Sequence, residues 1–296
     1  MLSAAAALAQ QPIREVAITI DDLPIAQSGP RACESDRLLS LTERLLTPIR
    51  GRHIPVTAFL IGGNCPKLTV EERRAVLALW TGAGAELGNH TYSHRGLNAS
   101  PIVEYEQDIL RAEPVLKGAM GNRRIRYFRS PMLQTGPDAT TKKRLESFLA
   151  AHGYQQAPVT FDNSDWMFSY VLQDPAMAER VRKEYVPYME SIISFFEKRS
   201  VEVVGREFPQ VLLIHANELN AGLLPALLDM LEQRGYRFVS LEHALQDAAY
   251  RLPNEYAGKG GFSWIHRWSM TKGMAAKGEP DEPVWLREAY GRTAGK

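Results

Sequence analysis

The chain has 296 residues, a formal net charge of +1 and 45% hydrophobic residues. That length and apolar content suit one large core, and the near-neutral balance argues against nucleic acid as the main partner, because phosphate binding needs a basic excess. No stretch reaches the roughly 18 consecutive apolar residues of a membrane-spanning helix.

Residues 1–10 read MLSAAAALAQ, and Ala7-Leu8-Ala9 has the small-x-small form of a signal-peptidase site. Residues 1–12 are read as the remnant of an export signal, placing the protein in a periplasm or outside the cell. An Ala-rich leader without an address, on a cytoplasmic protein, is the alternative. Val16 to Ile20 (VAITI) predicts a buried strand that ends in Asp21-Asp22. Leu38, Leu41, Leu45 and Ile49 have helical spacing and predict a helix over 35–50. Pro55 to Ile61 reads as a second strand, Thr69 to Trp80 as a helix capped by Thr69, and Glu86 to Asn89 as a short strand before two histidines. Ser100 and Pro101 are placed as the cap and first residue of the next helix. Further strands are predicted at 127–129, 154–161, 211–214 and 236–239. The intervening helices are predicted at 138–152, 174–198 and 223–234, with Gly153 and Gly235 as stops.

Strands alternating with helices imply parallel βαβ units. About six or seven of them in a chain of this length suggest a closed or nearly closed barrel. An open doubly wound sheet competes, but no GxGxxG follows the first strand. Residues 13–250 are assigned to this unit, and the Gly- and Trp-containing tail 251–296 to an irregular cap on the same domain. Cys33 and Cys65 lack CxxC spacing, which excludes a cysteine-built zinc site. Both a disulfide and two separate thiols are compatible with them.

Asp21, Asp22, His90, His94 and His215 all fall at or just past the carboxyl ends of predicted strands, where parallel α/β folds gather their reactive groups. Two histidines and one carboxylate are a ligand set for a hydrolytic metal site with one position open to water. Adjacent aspartates on a regular strand point to opposite faces, so one of the pair must turn if both are to reach the site. A carboxylate can take a proton from the attacking water and a separate acid, His215, can protonate a leaving amine. Each signal alone has a plain structural reading: an Asp pair as a loop feature, HxxxH as helix surface, Arg129 as an ion pair, Asp165 as a cap, Trp166, Trp264 and Trp268 as core.

Five segments, ITIDDLP, NHTYSH, RYFRSPM, DNSDW and VLLIHAN, resemble in order the motifs of the NodB-type polysaccharide deacetylases, the family 4 carbohydrate esterases. The resemblance spans roughly 16–243. It implies a distorted (β/α)7 barrel and a hydrolase that uses one divalent ion, zinc first with cobalt or nickel as alternatives, to remove acetyl groups from N-acetylated sugars of peptidoglycan, chitin oligomers or exopolysaccharide. It implies Asp21 as base, Asp22, His90 and His94 as metal ligands, and His215 as acid. Arg129 would orient Asp21, and Asp165 would orient His215. Trp166, Leu213 and Pro131 would form the substrate pocket. The chain departs from the pattern at Leu23-Pro24, where glycine usually follows the Asp pair, at Met132, where an aromatic usually follows the proline, and at Asn217-Glu218, where Asp is common. Such changes reshape the groove, leaving O-acetyl esters or a small amide as alternative substrates, and sugar binding without catalysis as a further one.

Overall fold

The computed structural model describes residues 14–26, 31–121 and 123–294. The expected leader, residues 1–12, lies outside the described residues. The first strand, β1 (Arg14–Leu23), is buried on both faces over 16–21, which is why its sequence is almost continuously apolar. Helix α1 (Ser35–Gly51) turns Leu38, Leu41, Leu45 and Ile49 into the core, as their spacing predicts. Then come β2 (Val56–Leu60), α2 (Val70–Gly82) and β3 (Glu86–Asn89). Thr69 does cap α2: its side chain accepts from Glu72 N while Glu72 reaches back to Thr69 N.

The next units are α3 (Ile102–Met120), β4 (Tyr127–Phe128), α4 (Ala139–Ala151) and β5 (Gln155–Gln156). Pro101 does not begin α3; with φ −55° and ψ 137° it sits outside the helix as its cap. The strand expected over 154–161 pairs with β4 for two residues only, because Pro158 follows and has no N–H to give a ladder. The chain then swings across to the far side of the sheet, where Phe161 bridges Leu212. Helices α5 (Asp165–Val171) and α6 (Ala178–Val204), strand β6 (Gln210–His215), α7 (Glu218–Gln233), β7 (Tyr236–Phe238) and α8 (Leu241–Leu245) complete the succession. Helix α6 starts four residues later than expected, and α7 starts five earlier, where Asn217 accepts from Asn220 N.

The strands form one sheet of order β5-β4-β3-β2-β1-β6, with β7 also on β1. Every pair is parallel. Together with the Phe161–Leu212 bridge, this makes the distorted barrel implied by the motifs. The tail expected to be irregular instead carries two helices, α9 (Trp264–Thr271) and α10 (Val284–Ala294). The first is tied into the barrel: Trp264 N donates to Val159 O at 2.7 Å, and Ser263 Oγ to Thr160 O at 2.8 Å. Its Arg267 guanidinium is fully buried and donates to the carbonyls of Phe262 and Leu133. Gly261 abuts the preceding turn so closely that a Cβ there would stand 1.8 Å from Met132 O.

Cys33 and Cys65 are joined in a disulfide, which links the loops after β1 and β2. At a sequence separation of 32, chain-entropy arguments give the crosslink about 3–4 kcal/mol of stabilisation. A Cys33→Ser, Cys65→Ser double variant should lose that much in urea denaturation. An unchanged midpoint would contradict it.

Candidate metal and catalytic site

Asp21 pairs in register with His215 across β1 and β6, so both residues sit at the carboxyl edge of the sheet. The problem of two adjacent aspartates is solved by the backbone. The pairing of β1 with β2 slips between Ile20 and Leu23, and Asp22 adopts φ 66°. That left-handed conformation is one Asp tolerates better than most residues. Asp21 and Asp22 therefore line the same cavity. The next peptide, Leu23–Pro24, is cis.

The histidine pair is carried by a turn rather than by a helix. Thr91 and His94 have φ 64° and 56°. Asn89 Oδ1 accepts from Thr91 N, and Thr91 Oγ1 from His94 N. Asp108 of α3 accepts from Ser93 N at 2.9 Å and from Ser93 Oγ at 2.8 Å. These bonds fold residues 90–94 back so that both imidazoles meet Asp22. Oδ1 of Asp22 is 3.2 Å from His90 Nε2 and 3.1 Å from His94 Nε2, and the three ligand atoms lie within 4.8 Å of one another.

The hydrogen bonding around this trio fits a cation. Nδ1 of His90 is 2.7 Å from the carbonyl oxygen of Arg129. A carbonyl only accepts, so the proton sits on Nδ1 and Nε2 presents a lone pair. That lone pair faces Asp22 Oδ1, which is buried and has no hydrogen-bond donor. Two imidazole nitrogens and a carboxylate oxygen converging on one point suit one divalent ion. Burial disfavours the charged form of His94, yet Asp22 raises its pKa above the ordinary value, so proton and metal compete for this place.

Two charged pairs adjoin the trio. Arg129 is wholly buried, and its Nη1 donates to both oxygens of Asp21 at 3.3 Å. Its Nη2 donates to Thr19 Oγ1 at 3.1 Å, and the guanidinium lies 4.5 Å over the Phe59 ring. Asp165, also wholly buried, accepts from His215 Nδ1 at 2.6 Å and from His215 N at 2.9 Å. Asn220 Nδ2 adds a third bond to Asp165, and Tyr185 OH in turn donates to Asn220. Burial lowers the pKa of His215, but Asp165 first, then Asp22 and Asp21, outweigh it and raise it to about 10.

The cavity holds about 490 Å³ and is lined by Asp21, Asp22, His90, His94, His215 and, among others, Trp166 and Leu213. Trp166 is 43% exposed, with its ring edge against Tyr290. Pro131, expected at the substrate, is not among the lining residues. It is buried at the start of a short 3-10 turn, and that turn presents Met132 and Leu133 to the cavity instead. Sequence reasoning missed Thr19, Asp108 and Asn220, which position site residues, and Asp162 and Glu279, which line the cavity. Thr19 and Asp162 lie within the ITIDDLP and DNSDW segments, whereas Asp108, Asn220 and Glu279 belong to no motif, and Asp108 and Asn220 act on residues of other elements.

A curled parallel sheet with its ionisable groups at the carboxyl ends of its strands defines an α/β barrel protein with a hydrolase-like site. The family model described as Polysaccharide deacetylase matches residues 9–157, and the chain belongs to that family. The matched span contains Asp21, Asp22, His90, His94 and Arg129, while Asp165 and His215 lie beyond it. A curated peptidoglycan-N-acetylglucosamine deacetylase of Bacillus cereus is 31% identical over 107 residues, 36% of this chain and 32% of that protein. The chain thus spans about a third of the length of that relative. Among solved structures, the polysaccharide deacetylase Bc1974 from Bacillus cereus superposes with TM-score 0.51 at 20% identity, covering 76% of this chain and 91% of the other. BA3943 from Bacillus anthracis, a CE4 family pseudoenzyme, gives TM-score 0.51 at 17% identity, covering 78% and 65%. These likenesses carry the fold.

Proposed function

We propose that the protein is a divalent-metal-dependent deacetylase that hydrolyses the acetamide of an N-acetylated glycan and releases acetate. The observation that carries this reading is the joint placement, in one cavity, of the Asp22–His90–His94 trio with an arginine-held carboxylate, Asp21, and a carboxylate-held imidazole, His215. Since relatives of this fold include a pseudoenzyme, the reading rests on this chain's own side chains.

Asp22, His90 and His94 would hold the ion, zinc by preference, with cobalt or nickel also suiting the donor set. When bound, the ion acidifies water and polarises the acetamide carbonyl. Asp21 takes the proton from the attacking water, with Arg129 fixing its carboxylate in place. Protonated His215, its Nδ1 committed to Asp165, delivers a proton from Nε2 to the departing amine. Leu213 and Trp166 supply the apolar wall for the acetyl methyl. We also assign residues 13–250 to the catalytic unit and 251–296 to a cap on it, and place the enzyme outside the cytoplasm. The Cys33–Cys65 disulfide supports that placement, because such bonds persist in oxidising compartments.

Acetate release from chitin oligomers, peptidoglycan and acetylated xylan, with and without a chelator, tests the reading. Release from an N-acetylated glycan, with appearance of free amine and loss on chelation, is expected. Release from acetylated xylan alone would make it an ester hydrolase. No release from any substrate by ion-loaded protein would refute it.

A further inference from the structure

The trio of Asp22, His90 and His94 borders two openings. One is the 490 Å³ cavity that also holds Asp21 and His215. The other is a shelf of about 370 Å³ that shares Asp22 and His94 with the cavity and has no part in the chemistry above. Three loops line it. Ile25 and Ala26 follow β1, Ile61 and residues 63–66 follow β2, and Tyr92 and Ser93 belong to the turn that carries the histidines.

The shelf is built, and its loops are tied to one another. The Cys33–Cys65 disulfide joins the loop after β1 to the loop after β2, and Asn64 Nδ2 donates to Ile25 O at 2.7 Å between the same two loops. Arg73 donates to the carbonyls of Asn64 and Cys65 at 2.8 and 2.9 Å. Gly63 N donates to Tyr92 O at 2.8 Å. That approach requires glycine, since a Cβ at Gly63 would stand 2.5 Å from Tyr92 Cε1. The Arg111 guanidinium, 3.8 Å from the centre of the Tyr92 ring, holds the ring as well.

The lining residues indicate the class of occupant. Apart from Asp22 and His94, no charged side chain lines the shelf among the described residues. Ile25, Ile61 and Pro66 offer apolar surface, and Tyr92 and Ser93 bring hydroxyls. An ionised group would find no counter-charge of its own there. A pyranose ring, with C–H faces and a rim of hydroxyls, matches such a surface.

Resting on the deacetylase reading, we propose that this disulfide-joined shelf binds the sugar next to the one being deacetylated, so that the protein acts on oligomers in preference to a single acetamido sugar. The acetamide enters the 490 Å³ cavity, and the adjoining ring lies past Asp22 and His94 on the shelf. Binding of a part of the substrate remote from the reacting bond helps to position that bond. Occupation of the shelf should raise kcat/KM roughly ten- to a hundred-fold from the monomer to the longer oligomers.

The test uses zinc-loaded full-length chain with acetylglucosamine and its neutral oligomers of two, three and four sugars. Acetate release gives kcat/KM, and calorimetry gives affinity separately. Both should rise with length in wild type. Ala26 lines the shelf but not the 490 Å³ cavity, so Ala26→Leu and Ala26→Trp, their folds checked by circular dichroism, place increasing bulk on the shelf alone. They should flatten the length dependence in that order, with the tetramer-to-monomer ratio moving towards one. General damage would lower every length alike and leave the ratio where it was. No length dependence in wild type, or one that survives both variants, overturns the proposal. Affinity that rises with length and flattens in the variants, without any acetate release, would sink the deacetylase reading and leave the shelf standing. Acetate release indifferent to length would do the reverse, and neither binding nor release would end both.

Discussion

Replacing Asp22 by alanine is expected to abolish binding of the proposed ion and to lower acetate release by about 10³-fold or more, because water activation and carbonyl polarisation would disappear together. Asp21→Asn has a different signature. The amide cannot accept the water's proton, yet Asp21 is not one of the three converging ligand atoms. Metal content should therefore remain at one ion per chain while turnover falls by about 10²–10⁴-fold. Elemental analysis beside steady-state kinetics separates the two outcomes. Loss of metal in both variants would show that Asp21 is a ligand, and retention in Asp22→Ala would remove the trio from the account.

The second large effect concerns the acid. In the proposed mechanism His215 must be protonated to serve the leaving amine, so the activity it supports is present below its pKa and is lost as pH rises through it. In the chain itself, burial opposes the proton, but Asp165, Asp22 and Asp21 raise the pKa to about 10. A bound ion offsets the last two, so the alkaline limb of the kcat profile falls below that value. Asp165→Asn removes the largest raising influence. The limb should then move to lower pH by at least about one unit, with turnover down about 10²–10⁴-fold. His215→Gln should remove the limb altogether. A limb in the same place in Asp165→Asn would assign it to another group.

Much of this arrangement is written locally in the sequence. VAITI and VLLI read as strands because β1 and β6 are buried on both faces, and the helix over 35–50 reads from one apolar stripe. The five motif segments point to the site because Asp21, Asp22 and His215 lie at the carboxyl ends of strands and His90 and Arg129 follow directly on two others. What stays hidden depends on long-range geometry. No period in the sequence announces the left-handed backbone of Asp22 or the slip between Ile20 and Leu23. Helical spacing suggests His90 and His94 share a helix face, whereas the turn that joins them is held by Asp108, on the following helix. Gly222 and Pro225 obscure the start of α7, which Asn217 sets by capping. Glu279 is invisible as a cavity residue because its position depends on a bond with the buried His266 and on the bond from Ser164 to the neighbouring Glu282.

The central claim is most directly tested by anomalous scattering from crystals of the zinc-loaded protein. A single strong peak within about 2.0–2.2 Å of Asp22 Oδ1, His90 Nε2 and His94 Nε2 is the predicted result. A fully loaded, active protein whose peak lies away from these three atoms would contradict it.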